Sequence, residues 1–518
     1  QTRSIFRLLP RLDCGVPHSL HTLRTQMLLV LTGVVGAVVL LLFVALLLAR
    51  CCLLRRPTTD TQTKIIGFFH PFANSGGGGE RVLWCAIKAL EEVHVDPSSS
   101  NKFHVIVYTG DNDATPEQIL QKCQDRFGVT FEGHMTIEFK YLQQRHWVRA
   151  ERYSRFTLMG QSLGSMVLGW EALRLALPDV FIDSTGYAFT MPLARFFGGC
   201  QVVAYTHYPT ISTDMLKMVF SRRPSYNNAA AVSNSVLKSS VKYVYYWMYA
   251  LLYRFVGQFA HLVMVNSTWT YGHVSGLWGT NNTFILYPPC DVERMAGFPL
   301  NDQIRNERKL FISIGQFRPE KDHGLQLRAI QLLVKKYKHK NNRNANALSK
   351  MKLYLIGSCR DEGDRERVSK LKQLAHELGI EEYVAFQLNA PFSDLCQWLG
   401  EATAGLHTMW NEHFGIGVVE MQTAGCIPIA HNSAGPKMDI VVPHQGVATG
   451  LLAETPEEYA DAMALVLGLE GGKKGWKTWE NNETWTTQEI RVAGRASSQR
   501  FSETCFKEAF KVHMKQVV

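Results

Sequence analysis

The sequence predicts an α/β protein: two Rossmann-like, doubly wound domains facing a cleft, preceded by an N-terminal transmembrane helix. Three observations lead there. The chain has 518 residues, more than one hydrophobic core usually organises, so two domains are expected. From Ile65 onward, apolar runs of strand length alternate with segments of helical length, the pattern of parallel sheets covered on both faces. Met27–Ala49 is an uncharged apolar run, long enough as a helix to cross a hydrocarbon core of roughly 30 Å. Hydrophobic residues make up 46% and charged residues 19%, which excludes a disordered chain. The net charge of +10 is scattered and accompanies no zinc-finger or RNA-binding signature. The excess therefore suits anionic lipid and phosphate-bearing substrates, and no nucleic-acid partner is expected.

In chain order, residues 1–26 form a tail, 27–49 the membrane anchor and 50–64 a polar linker. The anchor exceeds the apolar core of a signal peptide and ends in Arg50 and a cysteine pair, not in a small-residue cleavage site. Arg3, Arg7, Arg11 and Arg24 before it balance Arg50, Arg55, Arg56 and Lys64 after it, so the charge rule leaves orientation open. Gln1 in place of Met leaves the true N-terminus open as well. Eleven cysteines without a C-x-x-C pair point to thiols in a reducing compartment.

The first domain is expected over residues 65–300. Ile65–Phe69 reads as a strand, followed by His70-Pro71, four glycines (Gly76–Gly79) and a helix near Val82–Leu90. A glycine loop between strand and helix brings backbone amides to a phosphate, which marks Gly78 and Gly79 as donor-binding candidates. The spacing is neither G-x-G-x-x-G nor a P-loop. Strands follow at His104–Tyr108, Val180–Asp183, Gln201–Thr206, Leu262–Asn266 and Asn282–Leu286, with helices such as Pro116–Phe127 and Gly164–Ala176 between. Asp111-Asn112-Asp113 has the D-x-D form of some metal sites, but its setting reads as an Asx-rich turn. His207 closes a strand and can face the cleft.

Tyr243–Phe255 is aromatic on nearly every face and flanked by Lys242 and Arg254. Such a segment fits a helix lying on a bilayer, a groove for a lipid-borne acceptor, or a core helix beneath the sheet. Tyr243, Tyr246, Trp247, Lys242 and Arg254 are the acceptor and membrane candidates. Pro288-Pro289 then reads as the interdomain hinge.

The second domain is expected over 301–490. Strands at Leu310–Ile314, Lys352–Ile356, Val384–Phe386, Ala404–His407 and Ile427–Ala430 repeat the first domain's class, and 491–518 forms helices returning to the first domain. Arg318 and Lys321 follow a strand end and suit a nucleotide diphosphate, one as a planar fork and one as a point charge. In Asn411–Glu420 two carboxylates, Glu412 and Glu420, bracket a helix start at which Gly415 and Gly417 remove side chains between a ligand and the backbone. A diphosphate suits that hollow, with one carboxylate for a transferred sugar and one for a ribose.

This spacing resembles the E-x7-E signature of retaining, two-domain (GT-B) glycosyltransferases. Within them the chain is similar to the dolichol-pathway α-1,2-mannosyltransferases. The resemblance is carried by His70-Pro71 through Leu83-Trp84, Gly160–Ser165, His207–Met215 and His407–Gly417. It implies transfer of mannose from GDP-mannose to a trimannosyl dolichol-diphosphate oligosaccharide, with retention of configuration and no metal or other cofactor. It implies Glu412, His207, Lys321 and Arg318 as catalytic residues, and Glu420, Phe414, Gly415, Ile416 and Gly417 as donor-binding ones. In the family the Arg often directly follows the Gly; here Gln316 stands there and Arg318 comes two later. The implied setting is the endoplasmic reticulum membrane, single-pass, catalytic part in the cytosol, with other mannosyltransferases of the pathway as possible partners. Three alternatives remain: a related transferase on another polyprenyl- or phosphatidylinositol-linked acceptor, an inactive membrane-tethered scaffold, and a nucleotide-sugar epimerase.

Overall fold

Thirteen parallel strands build two sheets in the computed structural model, which describes residues 63–96, 102–212, 214–215, 236–300, 302–359, 361–469 and 485–518, together with Gly33, Gly36, Ala37, Val44 and Leu54. The first sheet comprises β1 (Thr63–Phe69), β2 (Lys102–Thr109), β3 (Thr136–Tyr141), β4 (Val180–Asp183), β5 (Gln201–Thr206), β6 (Leu262–Val265) and β7 (Thr283–Ile285), in the order 3-2-1-4-5-6-7. The second comprises β8 (Leu310–Ile314), β9 (Lys352–Gly357), β10 (Val384–Leu388), β11 (Ala404–His407), β12 (Ile427–His431) and β13 (Leu451–Ala453), in the order 10-9-8-11-12-13. Both orders reverse once, at β1/β4 and at β8/β11. Ligands of open α/β sheets bind at the strand carboxyl ends beside such a reversal. The loops placed there begin at His70, Ser184, Gly315 and Thr408.

The strand cores are apolar because both faces are covered. Ile66, Phe68, Val105 and Val107 pack against Leu83, Trp84 and Ile87 of the helix Gly78–Val95. Phe506, Phe510 and Met514 of the C-terminal helix Glu503–Met514 complete the same cluster, and Lys507 and Lys511 pair with Glu92. The last helix therefore belongs to the first sheet's core although its sequence follows the second sheet. Between them the helix Thr487–Ser498 lies against Ile416–Ala424, where Arg491 donates to the carbonyls of Thr403 and Gly425 and Arg495 to that of Thr423. Cations thus close the carboxyl end of the helix whose amino end faces the cleft.

The expected transmembrane run 27–49 lies outside the described residues except at Gly33, Gly36, Ala37 and Val44. Among the described residues, no helix is long and apolar enough to cross a membrane. Residues Gln1–Arg55 form a unit distinct from Arg56–Val518, and both sheets belong to the latter.

Candidate active site

A cavity of about 320 Å³ is lined by Gly78, Gly79 and His207 from the first sheet's loops and, from the second sheet, by His407 at the end of β11 and by Lys321, Glu412 and Phe414–Gly417. Two helix amino ends converge on it. The helix Gly78–Val95 starts after Gly77, whose N–H is accepted by Glu80. Glu80 also meets His70 Nε2 at 3.2 Å, and His70 Nδ1 lies 2.9 Å from Ser184 Oγ, so a buried network holds the glycine loop. The helix Ile416–Ala424 starts after Gly415, whose φ of 112° favours glycine. Among the described residues, neither the Ile416 nor the Gly417 N–H donates to a protein acceptor. A Cβ on Gly78 would lie 2.7 Å from Ile416 Cδ1, so the two amino ends are close enough that any larger residue there would displace that side-chain tip. Their dipoles and free N–H groups point at one hollow, an arrangement suited to phosphate.

Glu412 is the site's fixed anion. Its Oε2 accepts from Lys321 Nζ at 2.6 Å and meets His407 Nε2 at 3.2 Å. Burial pushes its pKa up, but the His407 hydrogen bond and the Lys321 charge outweigh this and hold the carboxyl well below the usual range. Lys321 is positioned from below: Thr408 Oγ1 donates to the Lys321 carbonyl at 2.7 Å, and Gln326 Nε2 holds Thr408 at 2.8 Å and Ser313 at 2.9 Å. Asp322, with φ of 44°, caps the next helix by accepting from Leu325 N–H. Gly435 underlies the 412–415 loop. Its N–H donates to Glu412 O at 2.9 Å, and a Cβ there would lie 2.4 Å from Phe414 O.

His207 Nε2 lies 3.1 Å from the Ser184 carbonyl, which can only accept, so Nε2 carries the proton and Nδ1 a free lone pair. Burial, with the neighbouring His70, lowers its pKa to about 4, so the ring is neutral at working pH. The walls of the cleft are tied across the two sheets. The His413 ring stacks on Tyr208 at 5.2 Å and lies 5.2 Å from Trp269, Asn411 donates to Asp214, and Asp439 accepts from Thr268 and Tyr287.

The expected residues separate into groups. Glu412, Lys321, His207, Phe414, Gly415, Ile416, Gly417, Gly78 and Gly79 share one cavity. Glu420 does not line it. It lies one helical turn beyond Gly417, where burial pushes its pKa up to about 7 against the opposing charge of Arg81. Arg318 is exposed and absent from the lining, at the start of the turn Pro319–Lys321. Asp111 forms the expected polar turn, accepting from Asn74 N–H and Thr109 Oγ1 and pairing with Arg145. Among the described residues no group of His, Cys, Asp or Glu is placed to hold a metal ion.

The segment 243–255 lies within the helix Val236–Gly257 and divides by face. Tyr246, Tyr249 and Tyr253 are buried, whereas Val244, Trp247, Met248, Leu251 and Phe255 are exposed. Lys242 Nζ lies 5.3 Å from the Tyr246 ring centroid, Tyr243 is half-buried and Arg254 exposed. The segment is thus a core helix on one side and a bare apolar stripe on the other. His407, which meets Glu412, and the pair His70–Glu80, which holds the glycine loop, had no role in the sequence reading. Their signal was their place in the quoted motifs.

The family described as "ALG11 mannosyltransferase N-terminus" matches residues 63–278, and "Glycosyl transferases group 1" matches residues 301–483. The GDP-Man:Man(3)GlcNAc(2)-PP-Dol alpha-1,2-mannosyltransferase of Homo sapiens is 47% identical over 447 residues, covering 86% of this chain and 85% of the human protein. The protein of that name from Dictyostelium discoideum is 43% identical, covering 89% and 86%. Among solved structures, Anabaena Alr3699/HepE with UDP and glucose superposes with a TM-score of 0.54 at 16% identity, covering 87% of this chain and 99% of that one. OtsA superposes at 0.58 and 12%, covering 88% and 100%. These two show the fold alone, which is GT-B. By its identity to relatives along most of its length, the chain belongs to the family of GDP-Man:Man(3)GlcNAc(2)-PP-Dol alpha-1,2-mannosyltransferases.

Proposed function

We propose that this chain transfers mannose from GDP-mannose in α-1,2 linkage to Man(3)GlcNAc(2)-PP-dolichol, giving Man(5)GlcNAc(2)-PP-dolichol for protein N-glycosylation. One observation carries the reading: two helix amino ends and the Lys321–Glu412–His407 cluster converge on one cavity, in a chain whose relatives bear that activity's name. The diphosphate lies against the Gly78–Gly79 and Phe414–Gly417 amides, with the Lys321 ammonium as counter-charge. These groups stabilise the departing GDP, the part a metal plays elsewhere. Glu412 accepts hydrogen bonds from mannose hydroxyls, and His207 Nδ1 accepts one more. Glu420 serves the ribose as the helix's second carboxylate. The acceptor hydroxyl attacks on the face GDP leaves, which retains the anomeric configuration. Arg318 has no part in this account.

The lipid side falls to the apolar run 27–49 and the exposed stripe of Val236–Gly257, flanked by Lys242 and Arg254, at the endoplasmic reticulum membrane with the catalytic part in the cytosol. The thiols Cys123 and Cys426 form no disulfide, which accords with a reducing compartment. Purified chain incubated with labelled GDP-mannose and trimannosyl dolichol-diphosphate lipid, with and without chelator, tests the proposal. Equal transfer in both arms supports it. Transfer that needs added metal, or uses a UDP-sugar instead, contradicts it.

A further inference from the structure

A second cavity, of about 160 Å³, opens in the first domain. Gln161, Ser162 and Ser165 of the helix Thr157–Leu175 form one wall, with Tyr187 after β4, Tyr208 after β5 and Tyr249 of the helix Val236–Gly257 opposite. Tyr208 lines this cavity and the donor cavity alike, so the two adjoin. The motif Gly160–Ser165 explains its own wall. A Cβ at Gly164 would lie 2.1 Å from Trp147 O and one at Gly160 2.3 Å from the Tyr153 ring, so the glycines press the helix onto the 144–153 turns. The polar residues between them are left facing the cavity.

The lining is neutral, for no Asp, Glu, Lys, Arg or His contributes to it. Ser162 Oγ lies 2.7 Å from Tyr249 Oη, and Ser165 Oγ donates to Ser162 O at 2.6 Å. Gln161 Nε2 donates to Val148 O at 2.8 Å, and no donor among the described residues reaches its Oε1. Phe189 stacks on Tyr249 at 5.9 Å and supplies an aromatic floor. A phosphate would lack a counter-charge here, and a hydrocarbon tail would strand the Gln161 carbonyl. A hexose offers hydroxyls to the rim and C–H faces to the rings.

The same helix that puts Tyr249 into the cavity exposes Trp247, Met248, Leu251 and Phe255 on its other side. A glycan in the cavity can therefore have its lipid against the outside of that helix. Resting on the donor reading above, we propose that this cavity is the acceptor subsite, binding a neutral hexose of the lipid-borne glycan beside the sugar under attack.

The test uses the full chain with Gln161→Leu, which removes the free carbonyl, and Ser165→Leu, which fills the cavity. Initial rates are measured with the trimannosyl lipid and with the same glycan lacking its lipid, and GDP affinity by calorimetry. The expected result is an acceptor KM raised about tenfold in Gln161→Leu, the scale of one lost hydrogen bond with its partner stranded, and more in Ser165→Leu. Both glycans should be affected alike, with GDP affinity within twofold of the parent. Unchanged acceptor KM with GDP binding intact overturns the subsite. So does a parallel loss of GDP affinity, which would mark the residues as merely structural. Failure of the parent chain to bind GDP instead sinks the donor reading and is seen before any variant is made.

Discussion

Replacing Glu412 by Gln keeps the side chain's shape and removes the charge on which the donor site turns. In the parent, Lys321 at 2.6 Å and His407 at 3.2 Å both direct protons at one oxygen, and the carboxyl stays ionised throughout the working range. A charge-assisted bond contributes roughly 1.5–3 kcal/mol and a neutral one roughly 0.5–1.5, so the exchange costs about 1–2 kcal/mol per bond. Side-chain exposures of 26% for Lys321 and 16% for Glu412 let water recover part of this. Stability should fall by about 1–2 kcal/mol, or about 2–8 °C in melting temperature for domains of this size. Catalysis should suffer more, since hydrogen bonds from mannose hydroxyls strengthen as positive charge develops on the ring. Loss of one such acceptor in an enclosed site is expected to lower kcat about 10²–10³-fold, or about 2.7–4 kcal/mol. GDP affinity should stay within about threefold, because the diphosphate is held by Lys321 and backbone amides. The assay is transfer to trimannosyl lipid under saturating donor, with calorimetric GDP binding on the same preparation. A folded Glu412→Gln protein transferring within twofold of the parent would refute the reasoning.

Glu420 and Glu412 should respond to pH with opposite sign. Burial raises the Glu420 pKa to about 7 in the fold, so its cost to stability grows as pH rises from about 4.3 to 7, by up to about 4 kcal/mol. Glu420→Gln should remove that slope in urea unfolding, whereas Glu412→Gln should remove stability that the parent loses as pH falls below about 4.3. Gly435→Ala places a methyl against the Phe414 backbone and should destabilise by about 1–3 kcal/mol, raising the GDP-mannose KM at least about fivefold. An unchanged KM would mean the 412–415 loop does not grip the donor. Phe510→Ala should cost about 3–5 kcal/mol by chemical denaturation, because its ring lies in the first sheet's core. A loss below about 1 kcal/mol would show that the C-terminal helix is not docked there.

Much of the fold was legible because both sheets are buried on two faces. Val180–Asp183, Gln201–Thr206, Leu310–Ile314 and Ala404–His407 read as strands with the bounds observed. β3 was missed because it is an edge strand bearing Glu138, which pairs with Lys140 and His104, so its pattern carries no continuous apolar run. The helix expected to start at Gly164 starts at Thr157, because Gly160 and Gly164 are packing contacts rather than breakers. The donor loop announced itself through Glu412, Gly415 and Gly417. That His407 and Lys321 share the oxygen of Glu412 depends on β8 lying beside β11, a neighbour relation no local spacing encodes. Arg318 shows the converse: its charge was readable, but its place outside the cavity lining was not.

The central claim is that the facing helix amino ends grip a sugar nucleotide by its phosphates, and an experimental structure of the chain with GDP-mannose tests it most directly. The account predicts phosphate oxygens about 3 Å from the Ile416 and Gly417 amides and the Lys321 ammonium, with the mannose ring between Glu412 and His207. A nucleotide seated elsewhere, or a mannose out of reach of Glu412, would contradict it.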